Sequence, residues 1–155
     1  ILPEVAFGPE NLRLPREAIA RRVDEALEAV GLAAMQTQRP HLLSGGEKRR
    51  LTIAGVLAMA PEVVVFDEPF SSLDLDGVRQ VLGQIVKLQA SGRTMVVTTH
   101  DLDKILAHAD RLVLLSQGQV VRDGRPRDVL PEVEHFGVRE PDASRLGAGF
   151  RSWLN

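Results

Sequence analysis

The sequence contains no cysteine. Disulfides, thiolate metal sites and a cysteine nucleophile are therefore excluded, and the chain suits a reducing compartment. It has no apolar run approaching the ~20 residues that a membrane-spanning helix needs. A strong charge of either sign is also missing: the net charge of −2 argues neither for nucleic acid nor for an anionic membrane surface. No internal repeat or low-complexity segment is found. Lysine is scarce, and Lys48, Lys87 and Lys104 follow Glu47, Val86 and Asp103. None follows a glycine, so the phosphate-cradling pattern G-x-x-x-x-G-K-[ST] is missing. Glu4 and Glu10 interrupt the start, so no secretory leader is expected there. The first residue is Ile1 rather than Met, which fits either processing or a piece of something longer.

What is present is ordinary for a globular protein: 155 residues, 44% apolar and 26% charged, enough for one compact domain with a real core. Residues 1–15 are rich in proline and glycine and are expected to form an irregular lead-in. Residues 16–30 carry Ile19, Val23, Ala26, Leu27 and Val30 at helical spacing, with Gly31 as the cap. Residues 33–43 read as a polar connector. A second helix is predicted from Ser44, whose S-x-x-E spacing to Glu47 is that of a capping box, and Pro61 is expected to stop it. Leu51, Ala54, Gly55 and Ala58 give this helix a narrow face of mostly small residues.

Val63–Phe66 is a continuous apolar run ending in Asp67-Glu68, which suits a strand buried on both faces of a parallel sheet. A helix over 76–90 follows, with Val78, Val81, Leu82, Ile85 and Leu88 inward and Gly92 as its cap. Thr94–Thr98 is a second buried strand, then a short helix over 102–109. Leu112–Leu115 and Gln119–Arg122 form a hairpin through Gln117-Gly118. One or two helical turns are expected over 125–130, and residues 131–155 show no clear pattern. The strand–helix–strand order implies an α/β fold with a mostly parallel sheet. Both strands carry their ionisable residues at the carboxyl end, where function in such sheets collects.

Four short strings carry chemistry. In Leu43-Ser44-Gly45-Gly46-Glu47, a serine and two glycines open a helix and expose backbone N–H groups beside the positive end of its dipole. That suits a phosphate, although a plain capped helix reads the same way. Asp67 is suited to hold Mg²⁺ through water, and Glu68 to orient or deprotonate a water, unless both simply cap the turn that follows. Ser72-Leu73-Asp74 is by itself a turn and a helix cap. His100 ends the second strand, and its protonation range suits a phosphate contact as well as a plain strand edge. His41, His108 and His135 have no comparable setting.

The order and separation of Leu43–Glu47, Val63–Glu68, Ser72–Asp74 and Thr99-His100-Asp101 resemble an ABC ATPase domain, as its signature motif, Walker B strand, D-loop and switch histidine. The resemblance covers about residues 5–125. It is narrower toward the ATPases of cobalt/nickel importers and energy-coupling-factor vitamin importers, through Val5-Ala6-Phe7-Gly8-Pro9-Glu10-Asn11-Leu12 and the Lys48-Arg49-Arg50 and Ala54–Met59 stretches. Glu47 stands where many members have glutamine, and Phe70 where threonine is common; neither removes a catalytic group.

The resemblance implies a partial P-loop NTPase fold with a helical subdomain over 16–60 carrying the signature motif. An α/β catalytic subdomain is expected over 61–130 and a tail over 131–155. It implies ATP and Mg²⁺ as cofactors, with Asp67 toward the metal and Glu68 and His100 as catalytic residues. Ser44, Gly45, Gly46, Glu47 and Asp74 would then serve nucleotide held across a dimer. Expected partners are a second ATPase subunit and a transmembrane subunit, without nucleic acid, at the cytoplasmic face of a membrane. The imported solute would be a metal ion or vitamin-like compound.

The Walker A half, the coupling glutamine and the adenine-stacking aromatic have no counterpart; the first glutamine is Gln36. Two other readings stand beside this one. A soluble ABC ATPase acting on DNA or ribosomes would carry coiled-coil insertions or basic tracts, which are not seen. A truncated half-domain that only docks on a partner is favoured by the missing Walker A.

The chain alone is accordingly expected to bind ATP very weakly and to turn none over. Stoichiometric ATP binding in titration calorimetry, with hydrolysis that disappears in Glu68→Gln, is the result that would refute this.

Overall fold

The computed structural model describes residues 1–145 and 149–154. The chain divides into two compact units, Ile1–Val63 and Val64–Asn155.

The first unit is three helices: α1 (Leu2–Asn11), α2 (Arg16–Ala29) and α3 (Gly45–Leu57). The helix α1 corrects the irregular lead-in expected over 1–15. Pro3 lies in the first turn, where a missing N–H costs nothing, and Pro9 sits near the other end, buried with Val5. Gly8 is a packing device rather than a breaker. A Cβ built on it would lie 2.7 Å from Cγ of Met59, a side chain that would have to shift, and at an ordinary contact distance of 3.5 Å from the carbonyl oxygen of Gly55, so Gly8 leaves room for Met59 where α1 lies against α3.

The helix α2 buries Val23, Ala26 and Leu27. It ends in a Schellman motif, with Gly31 at φ +70° donating to Glu28 O at 3.0 Å and Leu32 donating to Leu27 O at 2.8 Å. The helix α3 stops at Leu57, ahead of the proline expected to end it; Ala60, at φ 54°, already turns the chain. Two short 3-10 turns, Ala33–Met35 and Pro40–Leu42, lie in the connector between α2 and α3.

The second unit opens with β1 (Val63–Asp67), α4 (Leu75–Ala90) and β2 (Thr94–Thr98). The two strands are neighbours in one sheet. A helical crossover joins them and their carboxyl ends meet, since the Glu68 N–H donates to Thr98 O at 3.0 Å; this is a parallel βαβ unit. The helix α4 buries Val78, Val81, Leu82, Ile85 and Leu88, the five residues its periodicity points inward. Its Gly92 end repeats the Schellman geometry, with Gly92 donating to Gln89 O and Arg93 to Leu88 O. Phe70, Val78, Val81, Leu82, Ile85 and Ile105 form the core there, with Phe66, Met95 and Val97 on its edge.

The strands are not buried on both faces, as the apolar runs suggest. Phe66, Met95 and Val97 face the helix, whereas Val63, Val65 and Val96 are exposed, Val65 at 63%. Among the described residues no element covers that second face.

The hairpin β3 (Leu112–Ser116) and β4 (Gln119–Gly124) forms its own antiparallel sheet. Gln117 and Gly118, at φ 51° and 75°, give the two-residue turn expected of them. The helix predicted over 102–109 is instead two 3-10 turns, Leu102–Lys104 and Leu106–His108. Leu102, Leu106 and Leu114 join Val129, Leu130 and Val133 in a second core. Those last three come from α5 (Pro126–Val129) and a 3-10 helix over Leu130–Phe136. The structure therefore gives order to part of 131–155. A helical turn, α6, spans Asp142–Arg145, Phe150 lies against the second core and Trp153 against the first. Ser152 Oγ lies 2.8 Å from Nε2 of His108, whose burial lowers its pKa. No helix among the described residues is long and apolar enough to cross a membrane.

Leu82 has no exposed surface, so Leu82→Ala is expected to cost about 2–5 kcal/mol in urea unfolding, by lost burial and a residual cavity. Leu115, 63% exposed on the hairpin, should cost under about 0.5 kcal/mol on the same change.

Candidate functional site

Each unit carries part of the expected site. In the first, Ser44 is the N-cap of α3 and the capping box is complete. Ser44 Oγ accepts from the Glu47 N–H at 3.3 Å, and the Ser44 N–H donates to Glu47 Oε2 at 2.8 Å. Leu43, buried before the cap, anchors the loop, while Ser44, Gly45 and Gly46 are exposed. Gly45 and Gly46 are the first two helical residues, whose N–H groups have no intrahelical acceptor. An atom added at the Cβ position of Gly45 meets nothing within 4 Å, so the approach is open. Two donors that are unpaired among the described residues, at a helix start beside the positive end of the dipole, suit an anion. The hydrogen bonds from Ser44 hold the Glu47 carboxyl below its usual range.

In the second unit the carboxyl ends of β1 and β2 bring Asp67, Glu68 and His100 together. Glu68 takes φ 44°, a left-handed conformation unusual outside glycine. The chain reverses there, with the Ser71 N–H donating to Glu68 O at 3.1 Å. The Glu68 side chain meets the end of β2: its Oε1 lies 2.8 Å from Nδ1 of His100 and accepts the His100 backbone N–H at 3.1 Å. Its Oε2 has a longer contact, 3.5 Å, from Thr99 Oγ1. Asp67 accepts at Oδ1 a hydrogen bond from Thr98 Oγ1.

Asp74 lies apart from this cluster as the N-cap of α4, its Oδ1 accepting the Gly77 N–H at 2.8 Å. Thr98 is given no role by the motifs, and Thr99 enters only as the residue before His100. The alternation of the strand was the available signal, because it sets 94, 96 and 98 on the same face as 63, 65 and 67.

The donor set fits Mg²⁺ as an oxygen-seeking ion that keeps much of its water. Asp67 is exposed at a strand end, and among the described residues its Oδ2 accepts no hydrogen bond. No group of three or more His, Asp or Glu side chains forms a protein-only metal cage among the described residues. Mg²⁺ sites of the phosphate-transfer kind commonly use one or two carboxylates and borrow the rest from phosphate and water.

A family model described as ABC transporter matches residues 3–71. The chain is 44% identical to the energy-coupling factor transporter ATP-binding protein of Methanocaldococcus jannaschii, over 84% of this chain and 47% of that protein. It is 48% identical to the one of Carboxydothermus hydrogenoformans, over 99% of this chain and 58% of that protein. Among solved structures it superimposes on cbiO1 of Clostridium perfringens, part of an ABC transporter complex, with a TM-score of 0.73 and 36% identity, over 92% of this chain and 57% of that one. The chain belongs to the ABC transporter ATP-binding family. Within that family it is similar to the energy-coupling factor transporter ATP-binding proteins and to cbiO1. It spans about half the length of the curated relatives it matches.

The depressed Glu47 carboxylate stabilises the folded cap above its ordinary value of 4.5, and that contribution is lost as pH falls through the lower folded value. The Ser44 amide resonance should therefore shift on acidification below about pH 4.5, and stay still in Glu47→Gln, which keeps a side-chain acceptor without a titrating one.

Proposed function

We propose that this chain is the carboxyl-terminal part of the ATP-hydrolysing subunit of an importer of the energy-coupling or cobalt type. The observation that carries this reading is the Glu68–His100 pair, 2.8 Å apart, beside Asp67 at the joined ends of β1 and β2. His100 holds Oε1 through both its ring and its backbone N–H, which leaves Oε2 as the oxygen able to take a proton from an attacking water. The imidazole is 82% exposed and reaches outward, as a group that contacts a terminal phosphate must. Asp67 offers its free oxygen to the water shell of Mg²⁺. When bound, that ion neutralises charge on the phosphate oxygens during transfer.

The first unit supplies the other half of the chemistry. The exposed N–H groups of Gly45 and Gly46, with Ser44 capped by Glu47, are suited to close over phosphates held by a second ATPase subunit, and Asp74 sits in the loop assigned to communication across that dimer. Residues 16–60 act as the helical subdomain that moves against a transmembrane subunit, and 61–130 as the catalytic subdomain. The exposed face of Val63, Val65 and Val96 supports packing against a further portion of the subunit, which in this reading holds the nucleotide. In this reading the protein works at the cytoplasmic face of a membrane, and the solute is a metal ion or a vitamin-like compound.

The test is Glu68→Gln in a full-length ATPase carrying this segment. Steady-state ATP hydrolysis is expected to fall by about 100-fold or more, with nucleotide affinity in fluorescence titration unchanged. Turnover that survives in Glu68→Gln rules the assignment out.

A further inference from the structure

We propose that Thr98 is the positioning residue for the Asp67 carboxylate, and that its hydroxyl sets which carboxylate oxygen faces Mg²⁺; this rests on the function proposed above. The two strands alternate in step. Val63, Val65 and Asp67 of β1 share the exposed face with Thr94, Val96 and Thr98 of β2, and Asp67 and Thr98 end their rows. The bond from the Glu68 N–H to Thr98 O, 3.0 Å, fixes this register, so a polar side chain at 98 is delivered beside the carboxylate at 67.

The hydroxyl of Thr98 donates to Asp67 Oδ1, and among the described residues no other hydrogen bond reaches that carboxylate. An exposed carboxylate at a strand end otherwise turns freely between rotamers. A hydrogen bond to an ionised acceptor is among the stronger ones, and the donor is itself stiff because threonine is branched at Cβ. With Oδ1 engaged, Oδ2 is the oxygen presented to the metal's water shell.

The neighbouring hydroxyl does other work. Thr99 Oγ1 accepts the Asp101 N–H at 3.1 Å and lies 3.5 Å from Glu68 Oε2, so it shapes the turn after β2. Valine at 98, the residue type already present at 96 and 97, would fill the same volume without the donor. Threonine and valine both suit a strand, so exchanging one for the other isolates the hydroxyl that meets the carboxylate on the neighbouring strand.

The test uses the full-length ATPase that carries this segment, with Mn²⁺ as the probe and electron paramagnetic resonance as the readout, in the presence of a non-hydrolysable ATP analogue. Thr98→Val is expected to weaken Mn²⁺ binding about tenfold, the scale on which partners of metal ligands act, with metal-free nucleotide affinity and melting temperature unchanged. Thr98→Ser should restore Mn²⁺ affinity to within about twofold of the parent, since it returns the donor. If valine prevents folding, Thr98→Ala against Thr98→Ser carries the same comparison. Parent-like Mn²⁺ affinity in the hydroxyl-free variants, with affinity lost in Asp67→Asn, overturns the positioning role alone. Unchanged affinity in Asp67→Asn overturns the functional reading along with it.

Discussion

The hydrogen bond from the Glu68 amide to the Thr98 carbonyl is the contact on which the cluster of Asp67, Glu68, Thr98 and His100 depends. It closes a parallel βαβ unit at the end where both strands stop. Because the strands run parallel, two carboxylates at the end of one are set beside two threonines and a histidine at the end of the other. The register then divides the work: Thr98 reaches Asp67 and His100 reaches Glu68. Glu68 accepts a left-handed backbone to make this turn. Such a conformation costs on the order of 1–3 kcal/mol and persists only where surrounding structure over-determines it. Here the Ser71 and His100 hydrogen bonds and the buried Phe70 side chain supply that constraint.

The first unit rests on helix packing, with Val5, Leu27, Val30, Leu32 and Ala54 fully buried and Gly8 leaving room for the Met59 side chain. A side chain at that point would run into Met59. The later residues of α3 pack against the other helices, Leu51, Ile53, Ala54 and Leu57 being buried, while the start of the same helix is exposed and suited to the proposed anion site. Packing and the proposed anion site occupy different ends of one helix. A face of small residues and an exposed glycine cap therefore coexist in thirteen residues, Gly45–Leu57, without competing.

The elements most legible in the sequence were those with a local cause. The Ser44–Glu47 cap, the glycine-ended helices α2 and α4, the five inward residues of α4 and the Gln117-Gly118 turn each follow from contacts within a few residues. The lead-in over 1–15 was misread because proline and glycine were counted as breakers; Pro3 sits where a helix tolerates it, and Gly8 serves a contact fifty residues away. The strands β1 and β2 were expected to be covered on both faces because an apolar run reports how much surface wants burial, without reporting what arrives to bury it.

Sequence alone determined the residue types and their order, which were enough to indicate the family and to propose roles for Asp67, Glu68, His100 and the Ser44–Glu47 cap. Only the tertiary structure decided which oxygens and nitrogens meet. That Glu68 is held through one oxygen by His100, and that Thr98 engages Asp67, depend on register across a crossover of about thirty residues. Hydrogen bonds act over about 3 Å, so groups so far apart along the chain become partners only when the fold sets the strand ends side by side.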